Sequence, residues 1–304
     1  MWLTSSSIGR KLVMAITGVC LVLFVTFHAL MNGVAIFWPQ AYNVICAFLG
    51  ANWYALVASI GLAALFVIHI IYALWLTVQN RKARGNDRYD VVKKPAHVEW
   101  SSQNMLVLGI VVLAFLALHL CQFWAKMQLA ELTHNFASID GVPVAPQSGT
   151  LFLHMAFSQW WTPVIYIIAL VALWFHMNHG FWSMFQTAGW DNDIWMPRLK
   201  CIGKWWTTIV VGLFIIQAIV FTVQAKSDNY LTCPVLTEQY EEFNAELACE
   251  ATPCQSVCEE AACDTPCDRP CDKACDKVCD TPCDKACDKA CDASCDNACD
   301  APCE

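Results

Sequence analysis

The chain has 304 residues, of which 57% are hydrophobic and only 14% charged, and its net charge is -8. That apolar excess is too large for an ordinary soluble domain, and no nucleic-acid partner is expected of it. The charge is unevenly divided. Residues 1–225 carry 12 Lys/Arg and 7 Asp/Glu, whereas residues 226–304 carry 6 and 19, so a basic apolar part precedes an acidic tail.

Five apolar runs are long enough to cross a bilayer, which takes about 20 residues of helix. In chain order they are Leu12–Trp38, Trp53–Val78, Met105–Trp124, Trp160–Phe185 and Trp205–Val223. The first follows Arg10 and Lys11, as a signal peptide would, but it is too long for a signal core and has no clear small-x-small cleavage site. It is therefore read as a span. Tryptophans bracket many of the ends (Trp38, Trp53, Trp100, Trp124, Trp160, Trp161, Trp205, Trp206), as interfacial belts do.

The basic residues of this part alternate in place. Arg10 and Lys11 precede the first run. Arg81, Lys82, Arg84, Arg88, Lys93 and Lys94 lie between the second and third, and Arg198, Lys200 and Lys204 between the fourth and fifth. The other two connections hold one basic residue, Lys126. By the positive-inside rule the N-terminus is cytoplasmic and the tail lies outside. The expected fold is an all-α membrane protein: a five-transmembrane-helix bundle over residues 1–225, followed by a disordered Cys/Asp-rich tail over 226–304.

Four of these runs each contain a histidine: His28, His69, His119 and His176. An ionisable group inside a span is costly and points to function. A lone membrane histidine is often a hydrogen-bond partner between helices. Four in successive spans point instead to a shared task. Each sits three to five residues past the middle of its run, roughly 5–7 Å along the helix. Because neighbouring spans run in opposite directions, His28 and His119 shift outward, and His69 and His176 shift towards the cytoplasm. The expectation is two layers of two imidazoles, roughly 10 Å apart, suited to two bis-histidine haems b held by His28 with His119 and by His69 with His176. His179, three residues after His176, is the rival ligand. His97, His134 and His154 fall in connections or at an edge and are expected to be solvated. The chain has no C-x-x-C-H, so covalently attached haem is not expected.

The four-histidine pattern, the Ser5-Ser6-Ser7-Ile8-Gly9-Arg10-Lys11 run into the first span, and His176, Gly180, Gly189 and Trp190 around the fourth are similar to the dihaem cytochrome b subunit of succinate:quinone oxidoreductases, the single-subunit five-helix type. The resemblance covers about residues 1–225. It implies a membrane anchor of a succinate dehydrogenase or fumarate reductase in a bacterial inner membrane. Electrons would pass between a partner iron–sulfur subunit and a membrane quinone, a menaquinone type, through two haems. The family's fourth haem histidine stands where His176 does, ahead of the glycine. The chain has no dinucleotide fingerprint and no iron–sulfur cysteine cluster in its inner loops. The dicarboxylate chemistry would therefore lie on flavoprotein and iron–sulfur partners at the cytoplasmic face, with lipid around the bundle.

Some fumarate reductases of this type carry glutamates tied to quinol oxidation. Here the connection 37–52 has no acid, and Trp174 stands two residues before His176. No proton route or quinone site is assigned. Gln122 and Gln217 are polar residues of the bundle that serve equally well as interhelical hydrogen-bond partners. Two other readings share the histidines: a haem b anchor for a hydrogenase or formate dehydrogenase, and a metal transporter feeding the cysteine-rich tail.

That tail repeats a cysteine at every fourth residue from Cys263 to Cys303, nearly always followed by Asp, and holds most of the chain's 19 cysteines. Pro266, Pro270, Pro282 and Pro302 oppose a continuous helix. The spacing is not that of a usual zinc site. A tolerated repeat expansion and a soft-metal or redox buffer both fit it.

Overall fold

The computed structural model describes residues 6–50, 52–84, 99–139 and 141–251. The repeat tail, His97, Arg88, Lys93 and Lys94 lie outside the described residues. The chain divides into two units, 1–240 and 241–304. The second is described only to residue 251 and there continues a helix begun in the first.

The long helices are α1 (Ser7–Phe37), α3 (Trp53–Arg84), α5 (Met105–His119), α8 (Trp161–Thr187) and α9 (Trp195–Lys226). Helix α5 runs on through a π-turn over Leu120–Trp124, and with it included all five helices are long and apolar enough to cross a membrane. A helix is the one open-chain form whose backbone donors and acceptors are satisfied within the segment, which lipid requires. Helices α1, α3 and α9 extend well past one or both ends of their apolar runs, because the run marks where lipid is tolerated and the caps mark where the helix begins, whereas α5 with its π-turn coincides with the run Met105–Trp124. Ser6 accepts from the Gly9 N–H at 2.9 Å to start α1. The Asn192 Oδ1 accepts from the Ile194 and Trp195 N–H groups to start α9 ten residues ahead of Trp205.

Small residues line the helix contacts. Ala29 and Ala35 of α1, Ala169 and Ala172 of α8, and Ala218 and Ala225 of α9 are buried, whereas Leu23, Phe27, Leu30, Ile168 and Ile209 face outward. That inverted pattern suits lipid, where close backbone approach rather than water exclusion drives helix association. Helices α8, α9 and α1 form the middle, α5 packs on α8, and α3 packs on α1 and only lightly on α5. Gln217, 2% exposed, donates to the Ala29 carbonyl at 2.7 Å and ties α9 to α1.

One end of the bundle is capped by short elements: α2 (Pro39–Phe48), α6 (Gln128–Thr133), a β-hairpin pairing Ser138–Ile139 with Val142–Pro143, and α7 (Gly149–Phe157). Helix α10 (Asn229–Thr232) and the start of α11 (Pro234–Ala251) complete it. Tyr230, Phe152 and Leu236 are fully buried there. The first unit includes these residues and runs to Tyr240, and Tyr230, Leu236 and Tyr240 share one apolar cluster with Phe152. Asn43 fastens the cap. Its Oδ1 accepts from the Thr150 backbone and hydroxyl, both at 2.9 Å, and its amide donates to Gln239. The opposite end has no such cover among the described residues. It carries Arg10, Lys11, Arg81, Lys82, Arg198, Lys200 and Lys204, and α4 (Trp100–Gln103) leads into α5 there.

Candidate functional site

The four span histidines meet in two pairs. The rings of His28 (α1) and His119 (α5) lie 5.8 Å apart between centres, and those of His69 (α3) and His176 (α8) 6.3 Å apart. The first pair is nearer the capped end. None of the four rings is fully buried within the protein.

Helices α1 and α5 each serve both pairs. Gly18, ten residues before His28, faces the ring of His69: a Cβ there would lie 4.0 Å from its Cε1. Gly109, ten residues before His119, faces the ring of His176, with a Cβ 3.6 Å from its Cε1. Ten residues of helix span about 15 Å, so α1 and α5 each carry the glycine facing one pair and the histidine of the other about that far apart along the backbone.

Hydrogen bonds fix the tautomers of two rings. The Thr17 hydroxyl has one proton and directs it at the Val13 and Met14 carbonyls. It therefore accepts from His69 Nδ1, 3.2 Å away. Tyr166 donates its proton to Gln122 Oε1 at 2.8 Å and accepts from His119 Nδ1 at 3.3 Å. Both imidazoles thus carry Nδ1–H and leave the Nε2 lone pair free, which is how a second partner prepares a histidine ligand. Around the first pair stand Phe24 and Phe214 against His28, and Phe115 and Phe123 against His119. His176 Nδ1 is shut off from solvent and has no hydrogen-bond partner.

His179 has a different environment. Its ring stands edge-on to Trp182 at 4.7 Å, and its Nδ1 lies 4.0 Å from Glu99. Glu99 in turn accepts from Lys200 at 3.1 Å and from the Trp182 indole. The ring beside His69 is that of His176. His134 sits in the left-handed position that ends α6 and is exposed. His154 departs from the expected solvated state: it lies on α7, half-buried, with Nδ1 buried and unpartnered. Gln122 and Gln217 both take up interhelical hydrogen bonds.

The chain matches no protein-family model, no curated protein and no solved structure. Its chemistry rests on this geometry. Among the described residues no three His, Cys, Asp or Glu side chains converge, so each layer offers two imidazoles and no third ligand of that kind.

The residues that sequence reasoning missed are Gly18, Gly109, Thr17 and Tyr166. The glycines did leave a signal: G-x₉-H occurs in both α1 and α5. Tyr166 and Thr17 left none, because their partners are 47 and 52 residues away.

Proposed function

We propose that the chain is the membrane-anchor and electron-transfer subunit of a succinate dehydrogenase or fumarate reductase, holding two haems b. His28 and His119 would hold one and His69 and His176 the other. The observation that carries this reading is the spacing of the two ring pairs, 5.8 and 6.3 Å. Two imidazoles bound on opposite faces of one metal at about 2 Å per bond put their ring centres about 6 Å apart. A site with only two protein ligands suits a metal whose other positions are filled by a macrocycle. The glycine opposite each ring of the second pair and the light packing of α3 on α5 leave room beside the histidines for such a plane.

When bound, each haem would supply one-electron exchange at iron. The chain's own part is to hold and tune. Thr17 and Tyr166 keep the Nε2 lone pairs of His69 and His119 available, and the apolar helices exclude water, which sets the potential. The dicarboxylate step belongs to partner flavoprotein and iron–sulfur subunits. Succinate gives up two electrons and two protons to become fumarate, and a quinone takes up two of each to become quinol. The basic end, with Arg10, Arg81, Arg198 and Lys204, is the cytoplasmic face under the positive-inside rule and the docking side for those partners. The capped end and the tail then lie outside a bacterial inner membrane.

The test is a dithionite-reduced minus oxidised spectrum of the purified complex. A b-type α-band with two haems per chain is expected, together with co-purifying flavoprotein and iron–sulfur subunits. No α-band would overturn the reading. Hydrogenase or formate dehydrogenase subunits in their place would reassign the anchor.

A further inference from the structure

The repeat from Cys263 to Cys303 is a motif that the electron-transfer reading leaves without a task. It lies outside the described residues, but its attachment to the bundle does not. Leu236 and Tyr240 are buried in the cap. The Tyr240 hydroxyl lies 2.7 Å from that of Thr150 and donates to the Tyr230 carbonyl at 3.1 Å, and Gln239 accepts from Asn43. The chain that follows Tyr240 is therefore tethered to the capped end.

Eleven cysteines stand at an unbroken four-residue interval, and each is followed by an acid. Ten times the acid is Asp. After Cys303 it is Glu304, so the residue changes and the carboxylate stays. The other two places of the repeat vary: the third holds Thr, Arg, Lys, Ala or Asn, and the fourth Pro, Ala, Val or Ser. A duplication under no constraint would drift at all four places alike. Drift confined to two of them points to the thiol and the carboxylate as the working groups.

Those two groups together favour a cation over redox chemistry. A redox or nucleophilic cysteine needs a free thiolate, and a neighbouring negative charge disfavours that anion. A base stands in the third place of only five repeats. A bound metal ion reverses the balance, because it displaces the thiol proton and is itself attracted by the carboxylate. Four residues of chain reach at most about 14 Å, so thiolates of successive repeats can meet on one ion with bonds of about 2.3 Å. An even period singles out no set of four ligands. It suits several ions along one array rather than one closed finger-type site.

We propose that the repeat is a polythiolate array that binds several soft metal ions of the zinc and cadmium class on the outer side of the membrane, with one proton released per ligating thiol. The compartment rests on the orientation given under the proposed function; the metal site does not.

The test is equilibrium binding of Cd(II) to the full chain purified from membranes and kept reduced with a phosphine. The readouts are metal analysis and sulfur-to-cadmium charge-transfer absorption. About two or more Cd(II) per chain are expected, at four thiolates each, and Zn(II) should compete for them. Serine in place of all eleven repeat cysteines, Cys263→Ser through Cys303→Ser, should remove that binding. Asp264→Asn through Asp300→Asn, made together at the ten repeat aspartates, should weaken it about tenfold. Binding that survives the cysteine changes overturns the array, as does a reduced chain that takes up no Cd(II). Full affinity in the Asp→Asn chain overturns the part given to the carboxylates. Repeat thiols that are consumed in disulfides on isolation without reductant, with no metal bound, make the tail a redox store and overturn the proposal. Cd(II) binding in a preparation without haem leaves the array standing and removes the electron-transfer reading; haem without Cd(II) binding does the opposite.

Discussion

Gly109 of α5 stands directly against the ring of His176 on α8, where a Cβ would come within 3.6 Å of Cε1. A methyl group fits at that distance; a branched side chain does not. On the haem reading proposed above, Gly109→Ala should retain both haems, whereas Gly109→Leu should lose about half the haem per chain. The check is pyridine-haemochrome quantitation beside far-ultraviolet circular dichroism. Full haem content in Gly109→Leu would show that nothing occupies the space beside His176.

His176 and His179 share one face of α8 but have different neighbours. His176→Ala should remove about half the haem and one of two redox steps. On the haem reading proposed above, His179→Ala should keep both haems, since its ring stands against Trp182 near Glu99 and not beside His69. Redox titration of the two variants decides between them, and the reverse pattern would make His179 the ligand.

Thr17 accepts from His69 Nδ1 and so strengthens that imidazole as a donor to a metal. Thr17→Val keeps the shape and removes the acceptor. One midpoint potential should rise, by about 40 mV if the lost bond is worth about 1 kcal/mol more in the ferric state. The other potential should stay, because His119 relies on Tyr166 instead. Equal movement of both potentials would contradict the separation of the two layers.

Asn43 is wholly buried and holds the cap through Thr150 and Gln239. Asn43→Ala strands the Thr150 N–H and should cost about 2–4 kcal/mol, the loss of more than one buried hydrogen bond. A clear fall in the apparent unfolding temperature of the detergent-solubilised protein is expected. A matching fall in Gln217→Leu is expected as well, because Gln217 is the buried donor to Ala29.

Cys46 lies in the cap, and burial pushes its thiol from 9.0 up to about 12, only partly offset by a hydrogen bond with Tyr42. The thiol stays protonated in the folded state after it has ionised in the unfolded chain. Its contribution to stability is complete below pH 9 and is lost as pH rises towards 12. Alkylation at pH 8 followed by peptide mapping should spare Cys46 while modifying the exposed Cys201. Rapid modification of Cys46 in the folded protein would show that the cap is open.

The five spans were legible because lipid imposes a length and a composition on a helix that hardly any soluble segment shares. The expected pairing of His28 with His119 and of His69 with His176 came from alternating helix direction together with each histidine's place past the middle of its run, and the rings lie next to each other in those pairs. The helix boundaries did not follow from the runs, because they are set by polar residues such as Ser6 and Asn192 outside them. The cap was not legible either. Residues 229–240 mix polar and apolar side chains without a clear period, and only the burial of Tyr230 and Leu236 against Phe152 assigns them to the bundle. Tyr166 read as one more aromatic in a span, since its meaning lies in two partners on another helix.

The Gly18–His28 and Gly109–His119 intervals have a mechanical consequence. Each places a floor for one histidine pair and a histidine of the other on a single unbroken stretch of backbone. The separation of the pairs is therefore written in covalent geometry, as a ruler of ten residues used twice, and not in side-chain packing that could creep. A single residue inserted within either interval would turn the histidine about 100° away from its glycine's face. Slippage of α1 or α5 along its axis, by contrast, would disturb both pairs at once and in the same direction, so neither can be adjusted by sliding a helix without the other registering it.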